Sequence, residues 1–322
     1  MAIFLLRRLG HSALVILAVT TLTFFLIRLA PGDPVRARFG EERVSPEVVE
    51  RYKQMWGLDR SLPVQYGRYL KNLAGLNFGH SFSLQRPVST VIATALPNTL
   101  LLATAALFLS FTIGIGFGTF QGISRGSKAD TIGSLASLTI FSTPIFWLGI
   151  MLLLVFGQEL GWFPIGSAVS PVHRSLPWIQ KIADRIHHLV LPATALGLSG
   201  AAVVMRFHRA EVTEVMERTF LRTAIAKGIA PRRVVFVHIL RNSLVGAITI
   251  FGLSLPVMFS GAVLVEQVFS WPGMGQAAYQ AVLRRDYDVV TAMTILGAAM
   301  VTLGNLLADL LHQWADPRTR ST

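Results

Sequence analysis

Long apolar blocks alternate with short polar stretches along the chain, and this pattern leads to the first prediction. A helix rises about 1.5 Å per residue and satisfies its own backbone groups, so about 20 apolar residues can cross a hydrocarbon core of about 30 Å. Six blocks reach or approach this length. We therefore predict a single membrane domain over residues 1–322, with transmembrane helices at 9–30, 96–120, 132–156, 189–205, 244–265 and 289–311.

Prolines and small residues punctuate these blocks. Four of the predicted spans contain a proline that can kink a helix, because proline lacks the amide proton and its ring clashes with the preceding turn. These prolines are Pro97, Pro144, Pro192 and Pro256. Glycines such as Gly114, Gly116 and Gly118, together with the small residues of 197–201, allow helices to approach closely in lipid.

Composition and charge support a membrane protein. Hydrophobic residues make up 52% of the chain and charged residues 14%, whereas a soluble domain carries about a quarter charged residues. The net charge of +12 could suggest nucleic acid. The basic residues lie between apolar blocks rather than on one face, so nucleic-acid binding is not expected. Cysteine is absent, which excludes disulfides, thiolate metal sites and cysteine nucleophiles.

Basic residues predict the orientation, because lysine and arginine near span ends resist translocation. Eight of them lie between Arg206 and Arg241, so we place residues 206–243 and both termini in the cytoplasm. The first block follows Arg7 and Arg8, as a secretory signal would. Its length and the lack of a clear cleavage site favour a retained span.

The segment 31–95 is predicted to be a small helical cap on the extracytoplasmic side. Ser45 followed by a proline and a glutamate is a helix start, and a second amphipathic helix is plausible from Pro63 to Leu73. The cap could seal the outer face or receive a partner, and the sequence leaves both open.

The segment 206–243 is polar, long and helical in pattern, although it lies between two predicted spans. Its centre, FLRTAIAKG at 220–228, reads as a short helix with small residues and a glycine stop. Such a helix can dock into a groove of another protein. A solvated loop that only fixes the topology is the alternative.

This centre resembles the EAA motif of permease subunits of type I ABC importers. TAIAKG at 223–228 is similar to the form found in the peptide and nickel branch, with Ala224 and Gly228 at the characteristic positions. Further stretches resemble the first of the two permease types of this branch. They are 6–9 with 28–34, 269–275 with 285–287, and 309–311 with 316–318.

The resemblance implies an all-α type I ABC importer fold with six transmembrane helices in a bacterial inner membrane. It also implies a sister permease subunit, two cytoplasmic ATP-binding subunits, and an extracytoplasmic substrate-binding protein that delivers di- or oligopeptides. Nickel or another small solute is the alternative cargo. The residues implied to carry the contact with the ATPase are Arg222, Thr223, Ala224, Ala226, Lys227 and Gly228.

The chain contains no Gly-Lys dipeptide, so it cannot form a P-loop. We expect a transport subunit without a catalytic residue, bound cofactor or metal, with ATP and Mg²⁺ held by the partner subunits. A rival class is an intramembrane serine protease, since GLSG at 197–200 would make Ser199 a nucleophile. No clear histidine partner for it is recognised in another span, and His312 lacks the context expected of that family. His187 and His188 are not expected to bind metal, because neighbours on a helix point in different directions.

The last polar loop is expected to be an exposed rim of mixed charge that could receive a binding protein. An ordinary solvated loop is the alternative. Its residues are Arg284, Arg285, Asp286 and Asp288, beside Trp271 and Tyr287.

Overall fold

The computed structural model describes residues 2–29, 45–56 and 59–315, and most of these residues are helical. The helices are α1 (Ala2–Leu29), α2 (Pro46–Trp56), α3 (Leu62–Ala74), α4 (Val88–Ile123), α5 (Lys128–Ser142), α6 (Ile145–Leu152), α7 (Trp178–Glu217), α8 (Thr219–Ala226), α9 (Pro231–Arg233), α10 (Arg241–Val268), α11 (Met274–Leu283) and α12 (Tyr287–Ala315). A 3₁₀ turn (His173–Ser175) precedes α7, and π-helical turns follow α6 (Leu153–Glu159) and precede α10 (Val234–Leu240).

Four helices in the described part of the chain are long and apolar enough to cross a membrane. They are Leu6–Leu29, Val88–Ile123, Trp178–Glu217 and Tyr287–Leu311. Two further pairs qualify only if each is counted as one bent span. These pairs are Lys128–Ser142 with Ile145–Glu159, bent by 103°, and Pro231–Leu244 with Gly246–Met258, bent by 43°. The all-helical membrane class is confirmed, whereas the count of six spans and their bounds stay predictions.

The four prolines behave differently from one another. Pro97, Pro192 and Pro256 lie inside continuous helices. Pro144 instead separates α5 from α6, because the preceding Thr143 adopts an extended conformation, as a residue before proline prefers. The third predicted span is therefore sharply broken.

Helix α7 is much longer than the span predicted within it. It has 40 residues, which corresponds to about 60 Å. Its buried face continues past the predicted span end at 205, through His208, Val212 and Val215 at helical spacing. The predicted polar segment 206–243 thus begins as a helix.

The chain divides into two compact units. One comprises Met1–Pro97 and Pro272–Ala299, and the other comprises Asn98–Trp271 and Met300–Thr322. In the first unit, α3 packs on α1. The Tyr66 hydroxyl lies 2.6 Å from the Thr21 hydroxyl, and the Tyr69 ring stacks on Phe24 at 5.3 Å. Burial raises the pKa of Tyr69 to about 12.

The two helices predicted between α1 and the second span are present as α2 and α3. The side of the membrane on which they lie stays a prediction. An antiparallel pair of two-residue strands, β1 (His80–Ser81) and β2 (Arg86–Pro87), follows them and was not predicted. Residues 30–44 and 57–58 of this segment, and the 316–318 motif, lie outside the described residues.

The second unit has an apolar core built on α4, α7 and α10. Leu102, Leu196 and Val265 are buried there together with Phe269 and Trp271 from the loop after α10. The aromatic residues of the 269–275 motif therefore anchor the core of this unit.

Glycines let α7 approach α4 closely. The glycines that meet α7 are spaced by four residues: Gly114, Gly118 and Gly122. A Cβ atom on Gly118 would lie 2.8 Å from the Met205 carbonyl oxygen, which is closer than real Cβ atoms come. Gly116 faces open space. Of the three glycines predicted to allow close approach, Gly114 and Gly118 meet α7, whereas Gly116 does not.

Candidate coupling site

The segment 206–243, called the basic loop below, carries a short exposed helix at its centre. Helix α7 ends at Glu217, Arg218 is extended, and α8 begins at Thr219. At the other end of α8, Gly228 has φ +73° and its amide donates to the Ile225 carbonyl at 2.9 Å. Glycine suits this left-handed conformation because it has no Cβ, so the predicted glycine stop has a backbone reason.

An apolar cluster packs one face of α8 against α7 and the π-helical turn. Leu221, only 1% exposed, packs with Val212 and Val215 of α7 and with Val234 and Ile239 of the π-helical turn. Each fully buried aliphatic side chain contributes about 1.5–3 kcal/mol. The basic loop therefore has a small core of its own. Whether it docks a partner or only fixes the topology stays open at this point.

The six residues predicted to carry the contact are brought together on α8 and its C-terminal turn, but they do not share one environment. Arg222, Thr223, Ala226, Lys227 and Gly228 are exposed. Ala224 is 6% exposed and, with Leu221, forms the buried stripe of the helix. The prediction that Ala224 contacts a partner directly is therefore wrong, because its side chain faces the interior of this chain.

Sequence reasoning missed the apolar part of this exposed surface. Phe220 and Ile225 of α8 are 42% and 55% exposed, and Phe236 of the π-helical turn is 66% exposed. Apolar residues in a charged loop were the available signal. On α8 and its C-terminal turn, the exposed apolar side chains of Phe220 and Ile225 thus lie beside the basic groups of Arg222 and Lys227 in sequence.

Two ion pairs join the C-terminal part of α7 to the segment that contains the turn before α5 and the first turn of α5. Arg209 donates to Asp130 through Nε at 2.6 Å and through Nη2 at 2.8 Å. Arg125 pairs with Glu217 at 2.8 Å. The Asp130 side chain is 6% exposed, whereas Arg125 and Glu217 are 59% and 67% exposed.

In the first unit, Asp286 holds the β1–β2 hairpin, and we call this arrangement the hairpin latch. The Asp286 Oδ2 atom accepts from the Ser81 hydroxyl at 2.7 Å, the Ser83 hydroxyl at 2.8 Å and the Ser83 amide at 3.1 Å. The nearby Asp288 accepts from the His80 amide at 3.2 Å.

The predicted exposed rim is therefore wrong for two of its members. Asp286 and Trp271 are both 0% exposed, whereas Arg284, Arg285 and Asp288 are exposed. Asp286 is buried because it accepts the donors of the hairpin. Trp271 is buried in the core of its unit.

The second unit contains a polar cluster that the sequence did not reveal. The buried Glu266 accepts from the Thr99 hydroxyl at 2.6 Å. The Asn98 carbonyl accepts from Trp271 Nε1 at 3.0 Å, and its side-chain oxygen accepts from Arg185. These contacts join α4, α7 and the end of α10 through groups that lie far apart in sequence.

The protease constellation is not assembled among the described side chains. The Ser199 hydroxyl donates to the Ala195 carbonyl of its own helix at 3.3 Å. His187 and His188 contact the backbone oxygens of Trp162 and Asp184 at 2.8 Å each. The side chain of His312 lies outside the described set. The Ser199 hydroxyl is therefore bonded within its own helix. The described residues include no cluster suited to a metal.

The long apolar helices and the structured polar loop between α7 and α10 define an all-helical membrane protein. The chain belongs to the family of binding-protein-dependent transport system inner membrane components, whose signature covers residues 114–321. The N-terminal signature of the same transport systems covers residues 1–103.

Named relatives agree with this family over almost the whole chain. The di/tripeptide transport system permease protein DppB of Pseudomonas aeruginosa is 40% identical over 330 residues, with 98% of each chain covered. The oligopeptide transport system permease protein AppB of Bacillus subtilis is 39% identical, with 99% of each covered. The dipeptide transport system permease protein DppB of Escherichia coli K12 is 35% identical, with 98% of each covered.

Solved structures share the fold at low sequence identity. An inward-facing structure of the MetNI methionine ABC transporter matches with a TM-score of 0.58 and 16% identity, covering 70% of this chain and 96% of that one. An amino acid ABC transporter matches with a TM-score of 0.51 and 16% identity, covering 70% and 94%. The type I importer permease fold inferred from the sequence is confirmed.

Proposed function

We propose that the chain is one of two permease subunits forming the pore of an importer for di- or oligopeptides. Two cytoplasmic subunits bind ATP and Mg²⁺ and hydrolyse the ATP, and an extracytoplasmic binding protein delivers the peptide. Three relatives at 35–40% identity with nearly complete coverage support the cargo class. The chain supplies the path and the coupling contact and has no ATPase site of its own.

The coupling contact is proposed to be the exposed surface of α8. The observation that carries this proposal is the contrast within α8 between Leu221, buried in the apolar cluster, and the exposed Arg222 and Lys227. A helix supported on one side and free on the other can enter a cleft without unfolding. Movement of an ATPase subunit would then shift the basic loop. The position of this loop would thus depend both on the ATP site of the partner and on the peptide path of the permease, which couples the two sites.

Charge reversal on α8 tests the contact. Arg222→Glu with Lys227→Glu is expected to weaken recovery of the ATPase subunits with the purified permease by about tenfold, because like charges at an interface suppress docking. Lys128→Glu, a reversal of an exposed lysine outside the basic loop, is the matched control and should retain the subunits. Equal recovery for both variants would contradict the coupling site.

The cargo is tested on the complete assembly in proteoliposomes with its binding protein. Di- and tripeptides should stimulate ATP hydrolysis, whereas Ni²⁺ should not. Stimulation by Ni²⁺ alone would favour the small-solute alternative and overturn the peptide proposal, while leaving the coupling contact unaffected.

A further inference from the structure

The ion pair between Asp130 and Arg209 links α5 to the base of the basic loop. It lies eight residues before the end of α7, where the loop still runs as a helix. Both carboxylate oxygens of Asp130 accept from the guanidinium, at 2.6 Å and 2.8 Å. This two-point geometry fixes the relative orientation of the two helices as well as their distance.

The turn before α5 is organised around the same carboxylate. The Gly126 amide, with φ +80°, donates to Asp130 Oδ2 at 3.0 Å. The Asp130 amide donates to the Ser127 hydroxyl at 3.2 Å, which caps the start of α5. The bonds to Gly126 and Ser127 hold Asp130 within the start of its own helix, and its two bonds to Arg209 join that helix to α7. A shift of α5 relative to α7 would therefore break both bonds to Arg209 at once.

The neighbouring pair between Arg125 and Glu217 also joins the segment around the start of α5 to α7, but this pair is exposed to solvent. Both side chains are more than half exposed, so solvent and salt screen the attraction between them. The pair lies on an open polar groove of about 420 Å³. The exposed pair can serve as a control. It joins the same parts of the chain as the pair of Asp130 and Arg209, but it is not buried and has a single contact instead of two.

We propose that Asp130 and Arg209 are positioning residues that make α5 and the basic loop move as one body when the ATPase subunits act on α8. This inference rests on the proposed function, since it assumes that α8 is the coupling contact. It adds a defined route from that contact to α5, a helix that ends at the sharp Pro144 break.

The test is a double-mutant cycle on the complete assembly in proteoliposomes, with ligand-stimulated ATP hydrolysis per assembled complex as the readout. Asp130→Asn and Arg209→Gln should each lower the stimulation roughly fivefold, as changes along a coupling route do. The double variant should lower it no further, because both changes remove one interaction. Arg125→Gln with Glu217→Gln should leave the stimulation unchanged.

A second readout does not depend on transport. The chain has no cysteine, so spin labels can be placed at Lys128→Cys and Phe236→Cys, two exposed positions in α5 and the basic loop. The distance between the labels should stay constant between nucleotide-free and ATP-bound assemblies. When Asp130→Asn is added, this distance should differ between the nucleotide-free and ATP-bound assemblies, or its distribution should become broader.

Several outcomes would overturn the inference. A distance that changes with nucleotide in the otherwise unchanged chain contradicts a rigid link. A lower melting temperature with unchanged stimulation would show that the pair only stabilises the fold. If reversal on α8 uncouples the assembly and Asp130→Asn does not, the inference fails and the proposed function stands. If neither uncouples it, the coupling site itself is wrong.

Discussion

The basic loop and the hairpin latch both lie in segments that connect helices, yet they are stabilised in opposite ways. Beneath α8 lies a cluster of aliphatic side chains including Leu221, Val212 and Val234. The hairpin depends on one buried carboxylate, Asp286, which accepts three hydrogen bonds on a single oxygen. The first support is distributed and non-directional, and the second is concentrated and directional.

The two regions should therefore tolerate different kinds of substitution. An apolar cluster loses stability in proportion to the volume removed. A buried hydrogen-bond centre loses little if another acceptor replaces it, but much if its donors are left unsatisfied.

Leu221→Ala should loosen the basic loop most. Truncating a buried leucine costs about 2–5 kcal/mol, depending on how far the site collapses. Limited trypsin digestion should therefore cleave faster after Arg222 and Lys227. Ile225→Ala, at a 55% exposed position of the same helix, should change the rate little. Equal acceleration by both changes would contradict the apolar support.

Asp286→Ala should open the hairpin. The loss leaves the Ser81 hydroxyl and the Ser83 amide without their acceptor, at a cost of about 1–3 kcal/mol. Hydrogen exchange at the Ser83 amide measures the opening. Asp286→Asn keeps an acceptor oxygen and should exchange more slowly than Asp286→Ala. If the two variants exchange at the same rate, hydrogen bonding is not the support.

Gly118→Ala should disturb the packing of α4 against α7, the helix that continues into the basic loop. The new Cβ would lie 2.8 Å from the backbone oxygen of Met205, so α7 must shift, at a cost of about 1–3 kcal/mol. Gly116→Ala is the matched control, because its Cβ meets open space and alanine favours a helix. The melting temperature in detergent should fall only for the first variant.

Gly228→Ala should have the smallest effect on the fold. Its Cβ would meet no neighbour within 4 Å, so the cost is the left-handed backbone conformation alone, about 1 kcal/mol. Gly228→Asn should cost less, because asparagine tolerates this conformation. Hydrogen exchange at the Ile229 amide reports the change. A larger cost for Asn than for Ala would contradict the backbone explanation.

The sequence allowed prediction of whatever depends on local periodicity. The apolar blocks, α3 near Pro63 and the turn at Gly228 all follow from spacing and backbone preference. A helical pattern was predicted for 206–243, but not that α7 continues without a break from the span to Glu217, because Arg206 was taken as the start of a loop. The buried stripe through Val212 and Val215 was the signal that could have revealed it.

Contacts between residues far apart in sequence could not be predicted. Asp286 meets Ser81 from 205 positions away, and Arg209 meets Asp130 from 79 positions away. A single sequence gives the charge of each residue but not its partner. For the same reason Asp286 was expected on an exposed rim, and Ala224 was expected at a partner surface.

The most direct test of the coupling proposal is the side of the membrane on which α8 lies. A chain without cysteine allows Lys227→Cys and Lys71→Cys, both at exposed positions, to be labelled with a membrane-impermeant maleimide. Lys227→Cys should react only in inverted vesicles, and bound ATPase subunits should protect it, whereas Lys71→Cys should react only in right-side-out vesicles. Labelling of Lys227→Cys from the outside would contradict the proposed coupling site.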